Sequence, residues 1–294
     1  MNYLITGGTG FIGAKLVEEI LSNGHKVMVL SRNKNKPNSK TRAICSLLEI
    51  DKNEKIDCII NLAGEGIADK RWTQKQKTIL LESRVKTTKE IIELISKLKT
   101  KPSCFISASA IGFYGASNEK ELDENSPCHD EFTHQLCTAW EAQAFKACKF
   151  GVRTCITRFG IVLEKNGGAL KKMLPAFKLG LGGKIGDGKQ FMSWIHRKDA
   201  ISAINFLINN KDLSGSFNLT APNAVTNSEF SKTLAKILNR PAFFNMPEAV
   251  VKILFGEMGE ALLVRGQNVV PKNLLAAGFE FKFKNLNAAL EDIC

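Results

Sequence analysis

The chain has 294 residues, a formal net charge of +12, 44% hydrophobic residues and 24% charged residues. That composition excludes a disordered or fibrous chain and leaves room for one large domain or two smaller ones around an ample core. The basic excess is scattered along the chain rather than gathered into a tail or interleaved with aromatics, so a solvated surface is expected and nucleic-acid binding is not. The eight cysteines show no C-x-x-C spacing and no metal-type grouping with histidine, and they read as reduced thiols. A strand beginning at residue 2 or 3 leaves no place for a signal peptide, and no apolar run has the length of a membrane span. A cytoplasmic protein with no membrane partner is expected.

The first element is an apolar strand, Tyr3-Leu4-Ile5, which runs into Thr6-Gly7-Gly8-Thr9-Gly10-Phe11-Ile12-Gly13 and then into an amphipathic segment from Ala14 to Asn23. Glycines at 7, 10 and 13 stand between strand and helix. Such a turn lets backbone approach a ligand without a Cβ in the way and aims helix N–H groups at a pyrophosphate. Gly7, Thr9, Gly10, Phe11, Ile12 and Gly13 are therefore expected to bind a dinucleotide. Lys26 to Leu30 forms a second apolar strand, followed by Ser31 and Arg32. NAD-selective sites carry an acid near this point for the ribose 2′-hydroxyl, yet no Asp or Glu occurs between Glu19 and Glu49. A guanidinium binds a 2′-phosphate through charge-assisted bonds, so NADP(H) is the expected cofactor, with Ser31 and Arg32 selecting it. Lys34, Lys36 and Lys40 read as solvated neighbours.

Strand and helix patterns then alternate, as a doubly wound parallel sheet requires. Asp57 to Gly64 reads as a strand whose small end, Leu62-Ala63-Gly64, leaves room for the cofactor. Residues 76–98 have helical periodicity and carry Arg84, which suits either the phosphates or a surface ion pair. Pro102 to Ser107 restarts the sheet, and Ser107-Ala108-Ser109-Ala110 ends it where a nicotinamide is expected. A polar, acid-rich loop is expected from Glu119 to Glu131, a helix over 139–149, and a strand over 152–163 with a turn at Arg158-Phe159-Gly160. A glycine-rich loop or lid spans 178–190. Asp199 to Ile208 reads as a helix and Ser216 to Leu219 as a strand. Thr226-x-x-Glu229 reads as a capping box for a helix reaching Leu238. The expectation is an α/β, Rossmann-type doubly wound parallel sheet in residues 1–165, with 191–220 returning to it. A smaller mixed lobe on the substrate side then comprises 166–190 and 221–294.

The motifs around these strand ends resemble those of extended or atypical short-chain dehydrogenases/reductases. The residues that carry the likeness are Thr6 to Gly13, Asn61 to Gly64, Ser107 to Gly115 and Arg158 to Leu163. Ser83-Arg84-Val85, Trp140-Glu141-Ala142, the Gly180 to Gly188 run, Trp194-Ile195-His196 and Val269-Val270-Pro271 narrow it to the epimerase-family (YfcH-like) branch, which has its own C-terminal domain. The resemblance covers essentially the whole chain. It implies NADP(H) binding through Thr9 to Ile12, Ser31, Arg32, Leu62, Ala63 and Arg84, and Gly64, Ser107 and Ile161 complete the expected cofactor set. It also implies an oxidoreductase or nucleotide-sugar-epimerase-like protein acting on a small polar substrate, and a homodimer is compatible with it.

The departure from that family pattern lies in the proton chemistry. Active members use Tyr-x-x-x-Lys, in which the tyrosine moves the proton and the lysine holds the ribose. The corresponding places here are Leu136 and Trp140, and the usual Ser/Thr partner falls on Ala110, with Ser109 one residue away. A proton must still reach the substrate oxygen, so Tyr114 and Glu141 are the candidate catalytic groups. Ser109, Trp140, Arg158 and Trp194 are the candidate substrate contacts, and His196 reads as structural. The competing reading is a non-catalytic NADP(H)-binding sensor or scaffold.

Overall fold

The computed structural model describes residues 1–33 and 38–294, with 118–120 described for their backbone alone. Lys34 and Lys36, expected to be solvated, lie outside the described residues. In chain order the first half comprises β1 (Asn2–Thr6), α1 (Gly13–Ser22), β2 (Lys26–Leu30), β3 (Arg42–Ile44), β4 (Cys58–Asn61), α2 (Gln74–Lys97), β5 (Cys104–Ala110), β6 (Ser117–Leu122), α3 (Phe132–Ala144) and β7 (Arg153–Phe159). The second half continues with β8 (Ile161–Leu163), α4 (Gly168–Lys178), β9 (Phe191–Met192), β10 (Trp194–His196), α5 (Arg197–Asn209), β11 (Gly215–Leu219), β12 (Val225–Thr226), α6 (Asn227–Ile237), α7 (Glu248–Gly259), β13 (Gln267–Val269), α8 (Lys272–Ala276) and α9 (Leu286–Ile293).

Seven strands form one parallel sheet in the order β11-β7-β5-β4-β1-β2-β3. The chain leaves β1 toward β2 and β3, then crosses back to β4 on the other side. The sheet therefore reverses direction between β1 and β4, and in such sheets the ligand crevice lies beyond the strand ends at that reversal. Alternate residues of each strand feed opposite faces. Tyr3, Ile5, Val29, Ile60 and Ile106 pack with Leu16 and Ile20 of α1 and Ile204 and Leu207 of α5. Leu4, Met28, Ile59, Phe105 and Ile156 pack with Ile91 and Ile95 of α2. Burial on both faces explains why these strands read as continuous apolar runs.

A third core holds the C-terminal lobe together: Leu170, Leu174 and Phe177 of α4 meet Phe230 and Leu234 of α6 and Leu286 and Leu290 of α9. The capping box at Thr226 forms as expected, with Glu229 bonding back to the Thr226 N–H at 2.7 Å. Three local expectations are corrected. Part of the acid-rich stretch is a strand, β6, because β13 supplies its hydrogen-bonding partner from far along the chain. The helix expected from 139 begins at Phe132, where packing against α2 overrides the polar start. The strand expected over 152–163 is two strands in different sheets, broken at Gly160, where a Cβ would sit 2.6 Å from the Ser193 carbonyl oxygen.

The glycine-rich loop belongs to the lobe. Ile185 N donates to Asn227 Oδ1, Gly186 N to Met246 O, and Gln190 Nε2 to Leu263 O. The eight cysteines are all free thiols. Among the described residues no helix is long and apolar enough to cross a membrane, and no group of His, Cys, Asp and Glu could hold a metal.

Candidate functional site

The glycine turn sits at the β1 end, at the sheet's reversal. Gly7 has φ of 70°, and a Cβ there would lie 2.5 Å from the Leu62 carbonyl oxygen. A Cβ on Gly13 would lie 2.2 Å from the Gly7 carbonyl oxygen, so its absence is what lets α1 start against the turn. Gly10 N closes the turn onto Gly7 O at 2.9 Å. No side chain caps α1, which leaves its positive end open to an anion. Phe11 lies beneath Gly167 and Gly168, with Arg197 over its ring at 5.4 Å.

Asn61, which the sequence reading passed over as a functional residue, organises the neighbouring strand end. Its Oδ1 accepts from Thr6 Oγ1 at 2.6 Å and from Ala63 N at 3.4 Å, and its Nδ2 donates to Thr88. A polar residue inside an apolar strand was the available signal. At the β2 end Ser31 is buried and donates to Asn33 O, while Arg32 is exposed. Ser107 is fully buried within β5, and Ile161 is half-buried at the start of β8, its N–H donating to Ser193 O.

Arg84 points from α2 toward Gly64, where a Cβ would approach its guanidinium to 3.1 Å. It donates to the carbonyls of Leu80 and Glu65, and burial holds its pKa below the ordinary value. Its guanidinium also lies over the Trp140 ring at 5.2 Å. Leu80 and Arg84, four residues apart on α2, thus face Leu136 and Trp140, four apart on α3. The Trp140 indole is buried, and its Nε1–H has no acceptor among the described residues. A buried donor without a partner is costly.

Beneath α3 lies a buried polar chain. Ser109 Oγ donates to Glu141 Oε1 at 2.6 Å. Arg158 holds the same carboxylate bidentately, and its Nη1 donates to Tyr114 Oη at 3.0 Å. Tyr114 Oη donates onward to Asn218 Oδ1 at 2.7 Å. Burial opposes the charge on Arg158, yet its bond to Glu141 keeps the guanidinium's pKa above its usual value. Burial pushes Tyr114 up to about 12 and also raises Glu124, which accepts from Asn218 N.

Four of the expected site residues have their polar groups engaged by protein partners. Tyr114, a candidate proton donor, is fully buried, and its hydroxyl donates to Asn218 Oδ1. Glu141, the other candidate catalytic group, accepts from Arg158 twice and from Ser109. Arg158 has no face left for a substrate anion, being also stacked on Phe113 at 3.5 Å. Trp194 is fully buried in the lobe core and donates to Asn223 O.

The His196 Nδ1 caps α5 by accepting from Lys198 N, and its ring stacks on Phe283 at 4.0 Å. Toward the N-terminal end of α3 lies a cavity of about 220 Å³ walled by Trp72, Phe132, Thr133 and Ala261 together with the charged Glu131, Glu257, Glu260 and Arg265. Trp72, alone in a polar loop, was the only sequence signal for it.

A parallel sheet, a glycine turn at its reversal and an uncapped helix start define a dinucleotide-binding α/β protein of the Rossmann type. Residues 3–220 match the NAD dependent epimerase/dehydratase family, and residues 246–293 match a domain of unknown function, DUF1731. The chain belongs to the epimerase/dehydratase family. It is 39% identical to "Epimerase family protein YfhF" of Bacillus subtilis, over 100% of this chain and 98% of that protein. It is 37% identical to the human "Epimerase family protein SDR39U1", over 100% and 99%. A crystal structure of human SDR39U1 (isoform 2) with NADPH superposes with a TM-score of 0.91 at 35% identity, covering 100% of this chain and 99% of that one.

Proposed function

We propose that this protein is an NADP(H)-dependent oxidoreductase acting on a small molecule at the carboxyl ends of β1, β4 and β5. The observation that carries the reading is the Gly7–Gly13 turn, in which neither Gly7 nor Gly13 has space for a Cβ and which ends at an uncapped helix. The NADPH-bound human relative supports the choice of cofactor. The turn and the α1 start hold the pyrophosphate, Arg32 meets the 2′-phosphate, and Arg84 lies beside Gly64 along the same path. Trp140 takes the place the resemblance gives to the ribose-holding lysine, and its unpartnered Nε1–H supplies the donor. The bound cofactor supplies or accepts a hydride.

Leu136 cannot move a proton, so the proton comes from solvent. Ser109, fixed by Glu141, offers hydroxyl lone pairs beside the half-buried Ala110. The second reading, a non-catalytic NADP(H) sensor or scaffold acting in the cytoplasm, is favoured by one observation: every buried titratable group beneath α3 is already paired. Titrating NADPH and following its oxidation across a panel of aldehydes and ketones separates the two. Turnover supports the first reading, tight binding without turnover supports the second, and absence of NADPH binding refutes both.

A further inference from the structure

The walls of the α3 cavity carry information about the substrate, given the oxidoreductase reading on which this inference rests. Phe132 and Thr133 stand one helical turn before Leu136, the position the resemblance gives to the proton-donating tyrosine. Leu136 in turn packs in one cluster with Trp72, Leu80 and Met258, and Trp72 meets Phe132 edge to face at 5.0 Å. The cavity therefore lies where the body of a substrate extends away from the reacting carbon. Its apolar wall is Trp72, Phe132 and Ala261.

The charges around it are committed. Arg265, the cation lining the cavity, is held at 2.8 Å by both Glu131 and Glu260, and its bond to Glu260 raises its pKa despite some burial. Glu257 holds Lys77 at 2.7 Å. Nearby, the Arg71 guanidinium donates to the carbonyls of Ile253 and Leu254, and Lys172 donates to Ala68 O and Asp69. A nucleotide diphosphate needs uncommitted, preferably bidentate cations. Here it would have to displace carboxylates from Arg265 and then face them. The volume, about 220 Å³, is also below the roughly 300–1,000 Å³ of sites that enclose drug-sized ligands.

We infer that the substrate is a small, uncharged and largely apolar carbonyl compound, not a nucleotide sugar. Its carbonyl carbon takes a hydride from NADPH, the C=O π pair moves to oxygen, the oxygen takes a proton from solvent, and NADP⁺ remains.

Calorimetric titration of the NADP⁺-loaded protein tests the inference without turnover, with 2-acetylnaphthalene and UDP-glucose as probes. The expected result is that 2-acetylnaphthalene binds more tightly than UDP-glucose by about tenfold or more, as burial of an aromatic body allows. Trp72→Ala should weaken 2-acetylnaphthalene by about tenfold and leave NADP⁺ affinity unchanged, which also shows that the variant is folded. Tighter binding of UDP-glucose, binding of neither probe, or indifference of 2-acetylnaphthalene to Trp72→Ala overturns the inference. In each of those cases NADP⁺ binding still stands, so the cofactor reading survives separately. Failure of the wild-type protein to bind NADP⁺ removes both.

Discussion

Arg158 and Glu141 form a buried bidentate ion pair, with Nε to Oε1 at 2.9 Å and Nη2 to Oε2 at 2.8 Å, linking β7 to α3 under the candidate site. Breaking such a pair leaves an uncompensated charge in a low-dielectric interior. Arg158→Ala should lower the unfolding free energy by about 3–5 kcal/mol in urea titrations. The double variant Arg158→Met/Glu141→Leu should recover most of that loss, because neither charge is then stranded. A double variant no more stable than the single one would show that the pair is not the source of the cost.

Gly7 is left-handed and has no space for a side chain. Gly7→Ala should cost about 1–2 kcal/mol from backbone conformation alone. It should also push the turn away from Leu62 and abolish measurable NADPH binding. Calorimetry and thermal unfolding read the two effects separately, and retained NADPH affinity would place the cofactor elsewhere.

Arg32 is exposed at the β2 end, so its removal disturbs no core. Arg32→Ala should weaken NADPH by roughly tenfold to a hundredfold, the worth of charge-assisted bonds of about 1.5–3 kcal/mol. NADH affinity should hardly change. Equal losses for both cofactors would refute the 2′-phosphate role.

Trp140 offers a test in which stability and binding move in opposite directions. Trp140→Phe keeps a ring over which Arg84 can lie and removes the unpartnered Nε1–H. The protein without cofactor should become more stable by about 1 kcal/mol, since a buried unsatisfied donor is lost. NADPH should bind about fivefold more weakly because a hydrogen bond to it is lost. A purely structural indole would leave the NADPH dissociation constant where it was.

His196 is fully buried, and desolvation holds its pKa below the ordinary 6.5 even though the nearby Asp292 carboxylate pulls the other way. Its neutral form is the folded form. The resulting stability is fully present above the unfolded value and is lost as pH falls through 6.5 toward the lower folded value. The urea midpoint should therefore drop between about pH 7 and pH 5. His196→Asn should be weaker at neutral pH but show a flatter pH dependence, and an unchanged slope would assign the acid sensitivity to other groups.

Much of the cofactor end was legible in the residue order. The glycine spacing, the strand before it and the amphipathic helix after it are local features, and local sterics fix their conformation wherever the chain goes. The position of Arg32 directly after a strand was legible for the same reason, while its contact with a 2′-phosphate belongs to the proposal. β6 was not legible, because its partner β13 arrives from a distant part of the chain. Tyr114, Glu141 and Arg158 looked available when read one at a time. Each is a reactive residue type, and nothing in its neighbours along the chain shows that another will claim its hydrogen bonds.

The sheet class, the two-faced burial of its strands and a dinucleotide turn at residues 6–13 follow from residue order, since periodicity and glycine geometry act over a few residues. Tertiary structure alone decided which polar groups are committed. Arg158 meets Glu141 across 17 positions and Tyr114 meets Asn218 across 104, pairings that exist only once α3, β7 and β11 are stacked. The same stacking leaves one indole N–H without a partner beside Arg84 and brings Trp72, Phe132 and Ala261 together around one cavity. Long-range contacts set those outcomes because burial, which makes a paired charge inert and an unpaired donor conspicuous, is a property of the packed molecule and not of any segment.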